Sequence, residues 1–321
     1  MIHIVFCFDK SLVQQTLIAA GSCCKHSRGP IHFHFIVTPD AQELFEKEIH
    51  SLEAWVKTHI NHPLQYTSYV CKKGFLDSLP IGTSVPKAAC IRLFLETILP
   101  RGVEKVLYLD GDVFVTADIG IIASALPHGC ILGAVEDQLV RRGGVGEHVL
   151  HRIEHGDSKY FNTGVLLMNI RLWEENEIGR KALDLIKSNP ETFPYVDQDS
   201  LNVLFKDNWH ELSYAWNNFV SEHRRSSNWQ KFNPFKLACS VPAGILHYPG
   251  GMKPWKDFCY SHYRFHYRKL ARELFPGYHI EPCQGFKQQL LIWIPNFCYN
   301  IIRSLYRFAA KYIIISKGGK S

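Results

Sequence analysis

The sequence predicts an α/β fold with a mostly parallel central sheet, and three features lead there. Short β-branched and aromatic runs alternate with amphipathic stretches of helical period over the first half of the chain. Several runs are apolar throughout, as strands buried on both faces of a sheet are. Two of them end in carboxylates, at the edge where open α/β sheets bind ligands. The 321 residues, 46% hydrophobic and 21% charged, suffice for one large domain with an appendage or for two domains, and the composition excludes a disordered chain.

In order, Ile2 to Phe8 reads as a first strand in the middle of the sheet, followed by the polar turn Asp9-Lys10-Ser11 and a helix from Leu12 to about Cys24. Strand, polar turn and helix make a nucleotide-site geometry, although the glycines of a phosphate loop are missing. Asp9 reads equally as a base or ribose contact and as an N-cap. Ile31 to Val37 is a second strand, Asp40 to about Thr58 a second helix and Leu64 to Val70 a third strand, before a loop from Leu76 to Pro86. Lys87 to Leu99 reads as a helix carrying Arg92 among apolar neighbours, as a snorkelling surface residue or as a clamp on phosphate or carboxylate.

Val106 to Leu109 is the strand around which the rest is arranged. It runs into Asp110-Gly111-Asp112, two hard oxygen donors two residues apart, which suit a divalent cation with positions left for phosphate oxygens. Gly111 leaves room for a bulky ligand to approach the backbone. The same tripeptide is also a common polar turn. Ile131 to Val135 is another strand ending in acids, Glu136-Asp137, and Arg141 to Asp157 reads as a mobile loop. The polar turn Tyr160 to Gly164 precedes the strand Val165 to Asn169, and Leu172 to Lys187 is an amphipathic helix. Asp197-Gln198-Asp199 opens a helix over Ser200 to Phe205, and the macrodipole alone would favour acids there. Trp209 to Trp216 reads as extended. A last strand, Ile245 to Tyr248, delivers His247 and then the loop Pro249 to Trp255. His247 can ligate a metal as neutral imidazole, and Gly250, Gly251 and Lys253 form a plausible cradle for a diphosphate.

Ten scattered cysteines without a Cys-x-x-Cys pair read as reduced thiols of a cytosolic protein. No signal peptide is visible, and no apolar run reaches the ~18 to 20 residues that span a bilayer. Charge is uneven. Residues 256–321 carry 11 Lys/Arg against 3 Asp/Glu, a balance of +8, while the preceding 255 carry 25 against 27, a balance of −2. Within Leu290 to Ile315, Arg303, Arg307 and Lys311 fall on one helical face, with Ile301, Ile302, Leu305, Phe308 and Tyr312 largely opposite. Such a tail is expected to lie in an anionic membrane interface or to pack on the protein itself. Two domains are therefore expected, 1–255 and a basic, aromatic tail at 256–321.

Tyr-Leu-Asp-Gly-Asp at 108–112, Phe-Asn-Thr-Gly-Val-Leu-Leu-Met-Asn at 161–169, Asp-Gln-Asp-Ser-Leu-Asn at 197–202 and His-Tyr-Pro-Gly-Gly-Met-Lys-Pro-Trp at 247–255 together resemble the family 8 glycosyltransferases. Within that family the chain is most similar to bacterial lipopolysaccharide glucosyl- and galactosyltransferases. The resemblance implies a GT-A fold, Rossmann-like in its nucleotide-sugar half. It further implies Mn²⁺ (with Mg²⁺ as the alternative ion), a UDP-hexose donor, an oligosaccharide or lipid-linked acceptor, and retention of anomeric configuration. Carried onto this chain, it has Asp110, Asp112 and His247 ligate the metal, with Asp9 and Ser11 at the nucleoside. Arg92 would hold the diphosphate or the donor sugar. Asp137, Asn162 and Asp197 would bind hydroxyls of the transferred sugar, with Gln198 nearest the reacting carbon, and Gly111 and Thr163 would be among the donor-binding residues. Gly250 and Lys253 would grip the diphosphate. Cys90 and Lys10 depart from the family pattern, where many members have a tyrosine and an acid. The expected setting is cytoplasmic, on the inner face of the plasma membrane, with no nucleic-acid partner. The rival readings are a non-catalytic sugar-nucleotide-binding protein on the same fold, a transferase acting on another glycan, and a nucleotidyltransferase, which also uses paired aspartates with Mg²⁺.

Overall fold

The structure is a computed structural model and describes residues 1–72, 74, 87–141, 144, 146–188, 192–220 and 244–282, apart from 142, 143, 145, 252, 258, 260 and 262. The expected loop at 76–86 and the tail at 290–315 lie outside the described residues. So do Cys239, Cys283 and Cys298; the described cysteines are free thiols, most of them buried.

The chain opens with strand β1 (Ile2–Phe8), a 3-10 turn (Lys10–Leu12) and helix α1 (Val13–His26). Strand β2 (Ile31–Val37), helix α2 (Gln42–His59) and strand β3 (Gln65–Val70) repeat the unit. Alternate residues of β1 face opposite ways, as pleating dictates. Ile4, Phe6 and Phe8 join a core with α1 and α2, whereas Val5 and Cys7 join a second core on the other face. Burial on both faces explains why β1 is almost continuously apolar, whereas the edge strand β3 is polar and partly exposed.

Lys87 to Leu99 departs from the expected single helix. It is a 3-10 segment over Lys87–Phe94 followed by the short helix α3 (Leu95–Ile98). Strand β4 (Lys105–Leu109) then leads through Asp110-Gly111-Asp112 into β5 (Val113–Val115) and helix α4 (Ile119–Ala123). Strand β6 (Leu132–Glu136) follows. The expected mobile loop at 141–157 contains helix α5 (Glu147–Arg152), which buries Val149 and Leu150 against the second core. Strand β7 (Phe161–Asn169) starts four residues earlier than its apolar run, so Phe161 to Gly164 belong to the strand rather than to a turn before it.

The expected helix at 172–187 is two helices, α6 (Ile170–Glu175) and α7 (Ile178–Ser188). The break falls at Glu177, whose φ is +52°. A break lets α6 pack through Trp173, which donates from Nε1 to the Leu93 carbonyl at 3.0 Å, while α7 takes its own line. Helix α8 (Asp197–Leu204) starts three residues earlier than expected. The stretch 209–216 is only briefly extended, in β8 (His210–Glu211), before a 3-10 turn at Tyr214–Asn217, β9 (Asn218–Phe219) and β10 (Ile245–His247). Helix α9 (Arg264–Leu274) buries Tyr267, Leu270 and Leu274 in the core shared with α1, so the packing continues across the expected division at 255/256.

Among the described residues the main sheet has seven strands in the order β3-β2-β1-β4-β7-β6-β8. Its pairs are parallel except that β7 runs antiparallel to both β4 and β6. A small second sheet has the order β5-β10-β9. This topology positions the site in two ways. The start of the reversed β7 comes to the same edge as the ends of β4 and β6. Asp110 N donates to Gly164 O and Asp137 N to Tyr160 O across that edge. Asp110-Gly111-Asp112 is also the corner where the chain leaves one sheet for the other, and β10 pairs back on β5 with His247 opposite Val113.

Candidate active site

The corner brings Asp112 and His247 together although they are far apart in the chain. His247 Nε2 lies 3.3 Å from Asp112 Oδ1, and one ligand atom from each of Asp110, Asp112 and His247 falls within 4.8 Å of the others. That span is comparable with the ~4.2 Å across an octahedral ion with ~2.1 Å bonds. Two carboxylates and an imidazole suit a hard to borderline divalent cation. The fit shows in the hydrogen bonds as well. Asp112 Oδ1 is buried and accepts no hydrogen bond, while Oδ2 takes Lys253 Nζ, which also donates to Tyr248 O at 2.7 Å. Burial raises the Asp112 carboxyl, but the Lys253 ammonium and then His247 outweigh it and hold the group well below the usual carboxylate range. Asp112 is therefore ionised, with one oxygen committed and one left over.

Gly111 proves necessary for a reason other than ligand access. A Cβ there would lie 2.4 Å from Thr16 Oγ1 on α1. Gly164 sits under the triad: a Cβ would lie 2.3 Å from His247 Cε1 and 3.0 Å from Asp110 Oδ2. Only the absence of a side chain lets β7 pass so close beneath the cluster.

Arg92, expected to hold the diphosphate or the donor sugar, is engaged by protein groups in this structure. Its side chain is buried beneath the site and committed to protein groups: Nε donates to Ala89 O at 2.7 Å and Nη1 to Thr163 O at 2.5 Å, with Nη2 3.0 Å from Asp110 Oδ1. The guanidinium stacks over the Tyr108 ring at 4.4 Å, and Tyr108 donates to Asp110 Oδ1 at 2.8 Å. Both groups orient Asp110. Asp197 Oδ2 is 3.2 Å from Arg92 Nε, yet that N–H points to Ala89, so Oδ2 is buried without a hydrogen bond. Burial raises the Asp197 carboxyl and Arg92 partly opposes this.

The remaining expected sugar-site residues form one network. Gln198 Oε1 accepts from Thr163 N at 3.0 Å, Asn162 Nδ2 at 3.0 Å and Thr163 Oγ1 at 3.3 Å, while Nε2 donates to Tyr160 Oη at 3.2 Å and Asp137 Oδ2 at 3.3 Å. Asp137 Oδ1 caps the turn that follows, taking Leu139 N and Val140 N at 2.8 and 3.0 Å. Tyr160 donates to Asp199 Oδ1 at 2.6 Å, and burial lifts that carboxyl to about 6 against the Tyr160 bond. Val196, at the head of α8, is held at φ +38°, a region that costs a β-branched residue about 1–3 kcal/mol. The strain sits where it aims Asp197 and Gln198. Asp9, at the end of β1, caps the 3-10 turn, accepting from Ser11 N at 2.9 Å and Ser11 Oγ at 2.6 Å. Gly250 has φ +73° in the loop that carries Lys253.

Sequence reading missed Tyr108, Tyr160 and Asn217. The tyrosines sit inside or beside motifs already noted, and their position was the available signal. Asn217 carries no such signal.

A model described as glycosyl transferase family 8 matches residues 3–259. Glycosyltransferase GlyA of Streptococcus pneumoniae is 27% identical over 285 residues, 88% of this chain and 37% of its own length. The lipopolysaccharide 1,2-glucosyltransferase of Escherichia coli is 26% identical over 215 residues, 66% of this chain and 62% of its own. The chain thus spans less than two thirds of the length of these relatives. Among solved structures, a galactosyltransferase LgtC in complex with donor and acceptor sugar analogues superposes with a TM-score of 0.70 at 24% identity, covering 85% of this chain and 96% of that one. This likeness shows the same fold. With a family match over that extent of the chain, the protein belongs to glycosyl transferase family 8.

Proposed function

We propose that the protein transfers a hexose, glucose or galactose, from a UDP-sugar to a lipopolysaccharide core oligosaccharide, with retention of configuration and with Mn²⁺ as its ion. The observation that carries this reading is the convergence of Asp110, Asp112 and His247, with a buried Asp112 oxygen that no protein group satisfies. The glucosyltransferase name of the Escherichia coli relative supports the acceptor class.

In this mechanism Asp110, Asp112 and His247 would hold the ion, which when bound would supply Lewis-acid stabilisation of negative charge on the diphosphate. Lys253 adds fixed positive charge from the neighbouring loop. Arg92 acts by orienting Asp110 and Asp197 rather than by touching the donor. Asp197 Oδ2, buried and free of hydrogen bonds, is the acceptor we assign to a sugar hydroxyl. Asp137 and Asn162 are saturated by protein partners and hold Gln198 in place. Gln198 lines the wall beside the reacting carbon. As a neutral amide with a fully engaged carbonyl it is a poor covalent nucleophile, which favours front-face attack by the acceptor hydroxyl with a diphosphate oxygen as base. Asp9 and Ser11 lie at the same sheet edge, on the nucleoside side.

No helix among the described residues is long and apolar enough to cross a membrane. We assign the catalytic unit to the chain through about residue 282, following the packing of α9, and a peripheral anchor on the cytoplasmic leaflet to the basic tail beyond it. The test is UDP release from UDP-glucose, UDP-galactose and their N-acetyl forms, with an oligosaccharide acceptor, in Mn²⁺, Mg²⁺ or chelator. Metal- and acceptor-dependent release from a UDP-hexose is expected. Release that ignores the metal would overturn the reading, and pyrophosphate in place of UDP would point to nucleotidyl transfer.

A further inference from the structure

The buried side chain of Asn217 joins the cation triad to the Gln198 network. Its Oδ1 lies 2.8 Å from His247 Nδ1, and its Nδ2 donates to Asn162 Oδ1 at 2.8 Å. Its backbone carbonyl accepts from Gln138 Nε2 at 2.9 Å, which ties the 3-10 turn down. Side-chain amides can be turned over, and imidazole tautomers interchange, so the direction of such a chain must be anchored by groups that cannot turn. Two backbone N–H groups of β7 provide the anchors.

Gly164 N–H points at the Asn162 side chain at 2.9 Å, so the atom there must be Oδ1. Thr163 N–H likewise points at Gln198 at 3.0 Å and requires Oε1. With Asn162 Oδ1 so placed, Asn217 must present its NH₂ to it, and its carbonyl oxygen then faces His247. An oxygen acceptor at Nδ1 requires a proton on Nδ1. In the neutral imidazole, His247 Nε2 is then the bare nitrogen, and it is the one 3.3 Å from the unsatisfied Asp112 Oδ1.

We infer that Asn217 is a positioning residue that holds His247 as the Nδ1–H tautomer and so keeps Nε2 available as a cation ligand. The direction of the chain is imposed from β7 through Asn162. The inference rests on the metal-dependent reading above. Partners of this kind on the far nitrogen of a ligating histidine change metal affinity by about 10- to 100-fold when removed.

The experiment has two arms on the full-length chain. In the first, ¹⁵N imidazole spectra of the wild-type protein without metal are recorded at a pH where His247 is neutral, and its signals are identified by their loss in His247→Gln. A proton on Nδ1 is expected; a proton on Nε2 overturns the inference without Asn217 having to be replaced. In the second, free Mn²⁺ is followed by electron paramagnetic resonance during titration. Asn217→Ala should bind Mn²⁺ about 10- to 100-fold more weakly, whereas Asn217→Asp, which keeps an acceptor toward Nδ1, should stay within about threefold of wild type. A folded Asn217→Ala that binds as tightly as wild type overturns the inference. If wild-type protein and Asp110→Ala both ignore Mn²⁺, the metal reading has failed, and the tautomer still decides the role of Asn217.

Discussion

Asp112 and His247 meet as Oδ1 and Nε2 at 3.3 Å, across the seam where the main sheet hands the chain to the small one. The register of β10 on β5 sets that distance, because His247 stands opposite Val113, the residue after Asp112. Removing a ligand at this seam should cost several kcal/mol of transition-state stabilisation. Asp110→Ala, Asp112→Ala and His247→Ala are each expected to abolish transfer. Asp110→Ala should leave the fold largely intact by circular dichroism. Near wild-type turnover in any of them would remove that residue from the metal set.

Gln198→Ala should slow transfer about 10- to 1000-fold while UDP binding is kept, since the side chain faces the sugar end of the site. It also strips the Thr163 N–H and the Asn162 amide of a buried acceptor, at about 1–3 kcal/mol of stability. Steady-state kinetics beside calorimetric UDP binding separates the two effects. An equal loss of UDP affinity would move Gln198 out of the sugar subsite.

Gly111→Ala should destabilise the protein by about 1–3 kcal/mol, because the new methyl would overlap Thr16 Oγ1. That hydroxyl is buried and has no hydrogen-bond partner. Thr16→Ala should therefore be close to neutral alone and should rescue Gly111→Ala in the double variant. Denaturant midpoints of the four proteins complete the cycle, and strict additivity would show that the contact is not what excludes a side chain at Gly111.

Burial, with the charge of Glu174 adding to it, raises the Glu96 carboxyl to about 7 from an ordinary value of 4.5. The folded state then holds a proton that the unfolded state has released between those two values, so stability falls as pH rises through that window and stays lower above it. Glu96→Gln removes this loss. The variant should gain melting temperature relative to wild type on going from pH 4.5 to 7.5. A constant difference between the two proteins across that range would count against the assignment.

Truncation after Gly285 should abolish co-sedimentation with anionic vesicles at low salt and leave transfer to a soluble acceptor largely intact. Each basic residue near an anionic leaflet contributes about 1 kcal/mol, so binding should also weaken as salt rises. Equal binding by the full-length and truncated proteins, or binding blind to lipid charge, would end the membrane role of the tail.

Strands β1 to β4 and β6 and helices α1 and α2 were legible in the sequence, because apolar periodicity is a local property and each run carries its own; β5 and α4 are too short to show a period. So were the acids at strand ends and the four motifs, since ligands to one ion or one sugar are drawn from a few residue types at short spacing. Helix α5 was not legible, because its buried face is short and lies in a charged stretch; nor was the break at Glu177, a residue type that carries no turn signal of its own.

What tertiary structure alone decided is how the motifs share their atoms. The reversal of β7 put Thr163 N–H and Gly164 N–H at the edge where β4 and β6 end, and those two donors set the direction of the Gln198 and Asn162 amides and, through Asn162, of Asn217. In the sequence Arg92 reads as a snorkelling surface residue or as a clamp on phosphate or carboxylate. It is buried instead, on partners such as Thr163, 71 residues away. Asn217 bonds His247 across 30 residues, and Lys253 reaches Asp112 across 141. Contacts over such separations leave no period or spacing to read. The residue types needed for a cation site are written along the chain, whereas which oxygen is left unsatisfied, and which imidazole nitrogen stays bare, follows from hydrogen bonds that exist only once the two sheets have met.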